Sequence, residues 1–273
     1  MNTSITTNTI KGVVFDWAGT IIDFGSLAPM GAFVQLFAKH GVNISIAQAR
    51  VPMGLPKLAH IAQLGATPEI AAQWQSVKGR AFSAADADAL LLEFEPMSAA
   101  AAIAHGDFIP GFLDTYTWLQ AQGIGVATTT GYTRKIMTPL IASAERDGFK
   151  PALVICCDDV AKSRPDPMGM QRCMEALGLD DPATVVKVDD TAPGLQEGIN
   201  AACWTVGVAA SGNALGWSWD QWVAASEDER AEATAVAGQT LRDAGAHEVI
   251  DSVADLKTAL SRIEARILQG EKP

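Results

Sequence analysis

The sequence predicts an α/β fold, a doubly wound parallel sheet with a helical domain inserted after its first strand. Three observations carry that reading. Short apolar runs recur along the chain and alternate with segments of helical pattern, the arrangement of βα units whose sheet is covered on both faces. The first run is separated from the second by a long stretch that holds several helix starts and no convincing strand. The first and fourth runs lead into aspartates, at the strand ends where open α/β sheets bind their ligands.

Taken in order, Gly12-Val13-Val14-Phe15 reads as the first strand and Ile124-Gly125-Val126-Ala127-Thr128 as the second. Leu153-Val154-Ile155-Cys156, Val185-Val186-Lys187-Val188 and Thr205-Val206-Gly207-Val208 follow as the third to fifth. His247-Glu248-Val249-Ile250 adds a sixth before a final helix that opens with the capping pattern Ser252-Val253-Ala254-Asp255. Between the first two strands, Ser45 to Gln48 reads as a capping box, Thr67-Pro68-Glu69 as an N-cap followed by proline, and Ser83 to Asp86 as another helix start. Ala99 to Ala102 is an alanine-rich helix piece. The expected division is a core formed by 1–24 with 106–273 and a helical cap over 25–105, hinged near Phe24-Gly25 and Ile109-Pro110-Gly111. A chain of 273 residues suits one large or two smaller domains at the usual ~150 residues per domain.

The stretch Val13-Val14-Phe15-Asp16-Trp17-Ala18-Gly19-Thr20 delivers a carboxylate from a strand into a tight turn containing glycine. It resembles the nucleophile motif of the haloacid dehalogenase superfamily of phosphotransferases, whose usual form has a second aspartate where Ala18 stands. The resemblance implies a Rossmann-like core and in-line attack of Asp16 on phosphorus, with the acyl phosphate then hydrolysed by water. In ordinary phosphatases of the superfamily the second aspartate protonates a departing alkoxide. Ala18 has no proton to give. Either the enzyme is crippled, or the leaving group is not an alkoxide and its charge is absorbed by another device, an electron sink.

Val51-Pro52-Met53-Gly54-Leu55-Pro56-Lys57-Leu58-Ala59-His60 supplies an amine for that purpose. Pro56 fits a first helical position, which places Lys57 in the first turn, where backbone N–H groups and the macrodipole disfavour a cation and depress its pKa. His60 lies three residues on, on the same helical face, placed to pass protons to or from the amine. A neutral lysine beside a proton carrier is what Schiff-base chemistry with a carbonyl requires. Electrons from a breaking carbon–phosphorus bond then flow into an enamine, and no acid for an alkoxide is needed. Taken alone, Lys57 is an ordinary solvated helix lysine and Asp16 an ordinary strand-end acid. Their co-occurrence with Ala18, Gly19-Thr20 and Asp190-Thr191 gives the pattern its specificity.

The combination is similar to the phosphonatase branch of the superfamily. The resemblance spans nearly the whole chain through Phe15-Asp16-Trp17-Ala18-Gly19-Thr20, Pro52-Met53-Gly54 with Lys57 and His60, Thr129-Thr130-Gly131-Tyr132-Thr133-Arg134, Arg164-Pro165 and Asp190-Thr191. It implies hydrolysis of phosphonoacetaldehyde to acetaldehyde and phosphate, with Asp16 as nucleophile, Lys57 as the Schiff-base lysine and Mg2+ as cofactor. It further implies that Thr130, Gly131 and Arg164 bind the phosphonate oxygens and that Asp16, Asp190 and the Ala18 carbonyl hold the metal. The resemblance implies too that Met53 and His60 flank the imine, with Tyr132 nearby, and that the protein is a homodimer with contacts through the cap. The chain departs from the branch at one motif. Where the pattern has glycine before the metal-binding aspartate and a further aspartate four residues after it, this chain has Asp189 and Gly194.

A net charge of -11 and a pI near 4.7 argue against nucleic acid or an anionic membrane as partner. An anionic substrate is then drawn in by local cations, for which Lys57 and Arg164 are candidates. Cys156, Cys157, Cys173 and Cys203 show neither metal-type nor disulfide-framework spacing, which points to a reducing cytoplasm. The polar run Asn2 to Thr9 lacks the apolar region of a signal peptide, and no apolar span is long enough for a membrane helix. His40, His105 and His247 have no ligand spacing, and Trp217, Trp219 and Trp222 read as packing or a subunit contact. Two other functions fit parts of the pattern: a phosphomonoesterase in which Lys57 merely binds substrate, and a non-catalytic binding module that keeps the fold. The lack of an acid at Ala18 opposes the first, and the full complement of reactive groups opposes the second.

Overall fold

The computed structural model describes residues 9–273; residues 1–8, and with them nearly all of the Asn2 to Thr9 run, lie outside the described residues. Six parallel strands form one sheet: β1 (Gly12–Phe15), β2 (Gly125–Thr129), β3 (Val154–Ile155), β4 (Val185–Asp189), β5 (Trp204–Val208) and β6 (Glu248–Ile250). Their order is β3-β2-β1-β4-β5-β6. The chain runs outward from β1 through β2 and β3, then returns to the other side of β1 for β4, β5 and β6. The order therefore reverses beside β1, which makes the carboxyl ends of β1 and β4 the expected binding crevice. Phe15 pairs with Thr128 on one side and Val188 on the other, so Asp16, Thr129 and Asp189 leave the sheet at one level.

Each predicted strand forms within a residue or two. β3 is the shortest, because only Val154 and Ile155 find partners on β2. β1 is buried on both faces, as a central parallel strand must be. Phe15 meets Phe112 edge-on at 5.6 Å, whereas Val14 faces the opposite layer with Met170 and Cys173. Successive residues of one strand thereby bind two helical layers.

Among the described residues, five helices, α1 (Ala28–Lys39), α2 (Ile46–Arg50), α3 (Lys57–Ala66), α4 (Pro68–Lys78) and α5 (Ala84–Ala104), fall within 25–105, before the helix that leads into β2. The remaining helices are α6 (Phe112–Ala121), α7 (Arg134–Arg146), α8 (Met168–Leu177), α9 (Ala192–Asn200), α10 (Trp219–Ala224), α11 (Glu227–Asp243) and α12 (Leu256–Leu268). The capping boxes read at Ser45/Gln48 and Ser83/Asp86 form, and that at Ser252/Asp255 heads a short 3-10 turn leading into α12. Two starts differ from expectation in detail. Thr67 holds the N-cap position of α4 with Pro68 following, as read, but its hydroxyl turns back to the Gln63 carbonyl and makes no side-chain cap bond. Pro56 is the N-cap of α3, not its first helical residue, because its ψ of 141° is still extended; Lys57 takes the first helical position.

Two connections join the cap helices to the sheet and run side by side. Ile109 N–H donates to the Ile21 carbonyl at 2.9 Å and Asp23 N–H to the Asp107 carbonyl at 3.3 Å. The buried Asp23 carboxylate accepts the N–H groups of Leu27 and Ala28, both at 3.0 Å, and so seats the start of α1. Gly25 has φ of +87°, and a Cβ there would stand 2.0 Å from the Trp217 carbonyl oxygen. Phe24 packs against Trp219 and Trp222 at 5.2 and 6.1 Å, so this tryptophan cluster has a packing role. Arg50 of α2 reaches across to the Gly25 and Gly216 carbonyls and to Asn213, tying the cap helices to the loop after β5. Among the described residues no helix is long and apolar enough to cross a membrane, and all four cysteines are unpaired.

Candidate active site

The carboxyl ends of β1, β2 and β4 and the start of α3 meet in one cavity, lined by Asp16, Ala18, Met53, Lys57, Thr130, Gly131, Tyr132 and Arg164. The candidate residues from separate motifs are thus brought together. Gly54 and Thr191, quoted in the motifs without a role, also line it, as do Ser26 and Pro29, which carry no chemical signature in the sequence. The enclosed space is about 20 Å³, close to what one water needs. The turn before α3 meets the loops after β2 and β4 closely here. Their close seating is enforced by glycines: a Cβ at Gly54 would lie 2.3 Å from Thr191 Oγ1, and one at Gly131 would lie 3.0 Å from the Leu55 carbonyl.

Lys57 is 4% exposed although it opens a helix. Burial, more than the helix terminus, pushes its pKa down to about 8. Cys157 and Asp16 moderate the downward shift, and Nζ stands 4.8 Å from the Tyr132 ring centre and 5.7 Å from that of Phe33, aromatic faces that favour a cation. The Tyr132 hydroxyl is buried without a hydrogen-bond partner and is held neutral, because burial raises its pKa well above the ordinary value.

His60 stacks on Phe33 at 3.8 Å, its Nε2 is bonded to the Ala49 carbonyl at 2.9 Å, and its Nδ1 has no partner. The carbonyl can only accept, so the proton is on Nε2 and the Nδ1 lone pair is open. Burial and the Lys57 ammonium depress the His60 pKa to about 2, and the ring is neutral at ordinary pH. His60 is therefore no reservoir of positive charge. What it offers the amine is an acceptor.

Asp16, Asp189 and Asp190 each present a carboxylate oxygen within 4.8 Å of the others. Asp190 is oriented by the Thr20 hydroxyl at 3.2 Å and the Asn213 N–H at 2.7 Å. Burial raises the Asp16 pKa to about 6, and burial together with Asp16 and Asp189 raises that of Asp190 well above the carboxylate range. This frustration is what a cation between them would relieve. An all-oxygen donor set suits a hard divalent ion. Asp16 and Asp190 fit the metal-holding role, with the Ala18 carbonyl on the same turn.

Asp189 has a different employment. Its Oδ1 accepts the Thr191 N–H and hydroxyl at 3.0 and 2.7 Å, and Oδ2 faces Lys187 Nζ at 3.2 Å and Arg164 Nη2 at 3.4 Å. Although burial opposes its charge, Arg164 and Lys187 hold its pKa below the ordinary value. A Cβ at Gly194 would fall 2.0 Å from Asp189 Oδ2. The two departures from the branch pattern are therefore one arrangement, in which the Asp189 carboxylate fills the space that a side chain at 194 would need.

Arg164 is 4% exposed and donates from Nη2 to Asp16 Oδ1 and to the Thr129 carbonyl, at 2.8 and 2.7 Å. Burial lowers its pKa, but Asp189, Asp16 and Glu197 more than offset this and keep it protonated. Behind it lie Lys187 and Glu197, which the sequence reading passed over. A lysine within Val185-Val186-Lys187-Val188 was the available signal: a charge inside a buried strand demands a buried partner. The partner, on α9, has no fixed sequence offset.

The haloacid dehalogenase-like hydrolase family matches residues 10–202. The phosphonoacetaldehyde hydrolase of Paraburkholderia xenovorans is 46% identical over 264 residues, covering 97% of this chain and 99% of that protein. That of Salmonella typhi is 45% identical over 268 residues, covering 97% and 100%. A phosphonoacetaldehyde hydrolase-like protein from Oleispira antarctica superposes with a TM-score of 0.96 at 40% identity, over 98% of this chain and 97% of that one. A β-phosphoglucomutase from Clostridium difficile, 15% identical with a TM-score of 0.67 over 95% of this chain and 99% of that one, shares the fold.

Proposed function

The chain belongs to the haloacid dehalogenase-like hydrolases and, within them, to the phosphonoacetaldehyde hydrolase family, and from that premise we propose that it hydrolyses phosphonoacetaldehyde to acetaldehyde and phosphate through an imine on Lys57 and an aspartyl phosphate on Asp16. One observation carries the reading: a buried lysine of depressed pKa shares a cavity with a strand-end carboxylate at which the neighbouring acid is replaced by Ala18. The Lys57 amine adds to the aldehyde, and loss of water leaves a protonated imine. The proton that the Lys57 ammonium releases leaves with the departing hydroxyl as water, and neutral His60, too weak a base to hold a proton, flanks the imine.

Asp16 then attacks phosphorus in line. The carbon–phosphorus bond breaks, and its electron pair moves into the imine to give an enamine. Protonation at carbon regenerates an imine, whose hydrolysis frees acetaldehyde and Lys57. Water cleaves the acyl phosphate. Arg164, Thr130 and the Gly131 backbone bind the phosphonate oxygens, and Met53 and Tyr132 confine the imine. Mg2+ held by Asp16, Asp190 and the Ala18 carbonyl would neutralise charge between nucleophile and phosphonate. Residues 25–105 act as a cap that opens about the two connections near Gly25 and Gly111 to admit substrate and closes to exclude water. The reading includes a cytoplasmic homodimer joined through the cap, supported by unpaired cysteines and by the exposure of Ile46, Val51 and Leu58 on or beside cap helices.

Because Ala18 gives no proton to an alkoxide, kcat/KM for phosphonoacetaldehyde is expected to exceed that for simple phosphate monoesters by about 10³-fold or more, the usual value of a general acid. Parallel assays of phosphate release measure it. Comparable constants for the two substrate classes would instead identify a phosphomonoesterase.

A further inference from the structure

Behind Arg164, three side chains that the proposed chemistry does not itself use, Thr129, Lys187 and Glu197, close around its guanidinium. Glu197 Oε2 accepts from the Thr129 hydroxyl at 2.7 Å and from Arg164 Nε at 3.1 Å, and lies 3.4 Å from Lys187 Nζ. Thr129 Oγ1 in turn accepts from Lys187 Nζ at 2.7 Å and from Arg164 Nη2 at 2.8 Å. None of these four side chains is more than 4% exposed. Two cations thus converge on one hydroxyl, where Asp189 Oδ2 and Glu197 Oε2 each stand beside both; removing the Glu197 charge leaves Asp189 and Asp16 alone to offset their repulsion in a medium of low dielectric. The Lys187 backbone is held in β4 between β1 and β5 and its side chain is fully buried.

We infer that Glu197 is a positioning residue for Arg164, which together with Thr129 and Lys187 fixes the guanidinium plane that receives the phosphonate. Glu197 occupies Nε, and Thr129 with Asp16 occupies Nη2, which leaves Nη1 as the donor no described protein bond uses. Arg164 lines the cavity, and Nη1 is the donor it has left to offer an anion. The helix α8 closes the arrangement from behind, where a Cβ at Gly169 would come 2.5 Å from Glu197 Oε1. The carboxylate is held on both sides, and its negative charge and three-donor acceptor oxygen are what an amide cannot reproduce.

The inference rests on Arg164 being the anion-binding cation of the proposed function, and inorganic phosphate, used as a competitive inhibitor, probes it without involving imine chemistry. Glu197→Gln is expected to raise the inhibition constant of phosphate and the KM for phosphonoacetaldehyde together by roughly tenfold to a hundredfold, the range of a charge-assisted hydrogen bond, with a smaller fall in kcat. Thr129→Val, which keeps shape and removes the hydroxyl, should act in the same direction, whereas Thr129→Ser should restore near-native phosphate affinity. The threonine pair decides the matter should Glu197→Gln fail to fold. Arg164→Ala separates the two layers of argument. If it leaves phosphate affinity unchanged, the anion-binding assignment of the proposed function fails. If it weakens phosphate binding while folded Glu197→Gln and Thr129→Val bind phosphate as the native protein does, the positioning role is overturned.

Discussion

Asp16→Asn is expected to reduce turnover by roughly four to six powers of ten while leaving the fold in place, the scale on which covalent catalysis collapses when its nucleophile is removed. The amide nitrogen and oxygen are poor nucleophiles toward phosphorus, and no other carboxylate is presented in the same way. Asp190 is bonded to Thr20 and Asn213, and Asp189 is committed to Thr191, Lys187 and Arg164. The fold should tolerate the change. In the metal-free protein the Asp16 pKa is raised to about 6, so ionisation at neutral pH opposes folding, and a neutral residue there relieves crowding among acids. The sign follows from linkage: a carboxylate whose folded pKa lies above its unfolded value costs stability once the pH passes that folded value. The thermal midpoint of the metal-free variant at pH 7 should therefore equal or exceed that of the native protein. Substantial phosphate release by folded Asp16→Asn protein would reject an aspartyl-phosphate route.

Lys57→Arg should be nearly as damaging, although it conserves charge. Arginine stays protonated and forms no imine, yet it binds an anion at least as well as lysine. A lysine that serves only as a cation would tolerate the exchange. An electron sink would not, and the expected loss reaches several powers of ten, each corresponding to ~1.4 kcal/mol of transition-state stabilisation. The position also leaves little room, because the Lys57 amine is enclosed by Tyr132 and Phe33. The readout is therefore acetaldehyde release, accompanied by phosphate inhibition as a check that the anion site survives. Near-native turnover by Lys57→Arg would remove the covalent role.

The parts of this structure that were legible in the sequence are those with local causes. Apolar runs marked all six strands, since a parallel strand buried on both faces needs them, and the Ser/Gln and Ser/Asp pairs marked two cap helices because their bonds close within three residues. Asp16 and Asp190 were legible as acids placed at the ends of such runs. Pro56 was misjudged by one position, since its fixed φ suits an N-cap as well as a first helical residue and only ψ distinguishes them. The low basicity of Lys57 was anticipated, but its main cause was not: burial beneath the closed cap depends on contacts made far along the chain.

The charge set around Arg164 was invisible for the same reason. Thr129, Arg164, Lys187 and Glu197 come from β2, a loop, β4 and α9, and no periodicity relates them. His60 shows a further limit. Its spacing from Lys57 was readable, but its neutrality follows from the Ala49 carbonyl and the Phe33 ring, which only the packed cap brings to it. Asp189 and Gly194 were readable as departures within one motif, but that the carboxylate of one occupies the space of the other is visible only in the fold.

The central claim is a covalent bond between Lys57 and substrate, and borohydride reduction followed by peptide mapping tests it most directly. Incubation of the protein with phosphonoacetaldehyde and borohydride should leave an irreversible alkyl adduct on Lys57, with parallel loss of activity. The initial trapping rate should rise with pH through about 8 and level off above it, because the neutral amine is the reactive form and burial has lowered its pKa to that value. An active protein that yields no adduct, or one that carries its adduct on a lysine other than Lys57, would contradict the account.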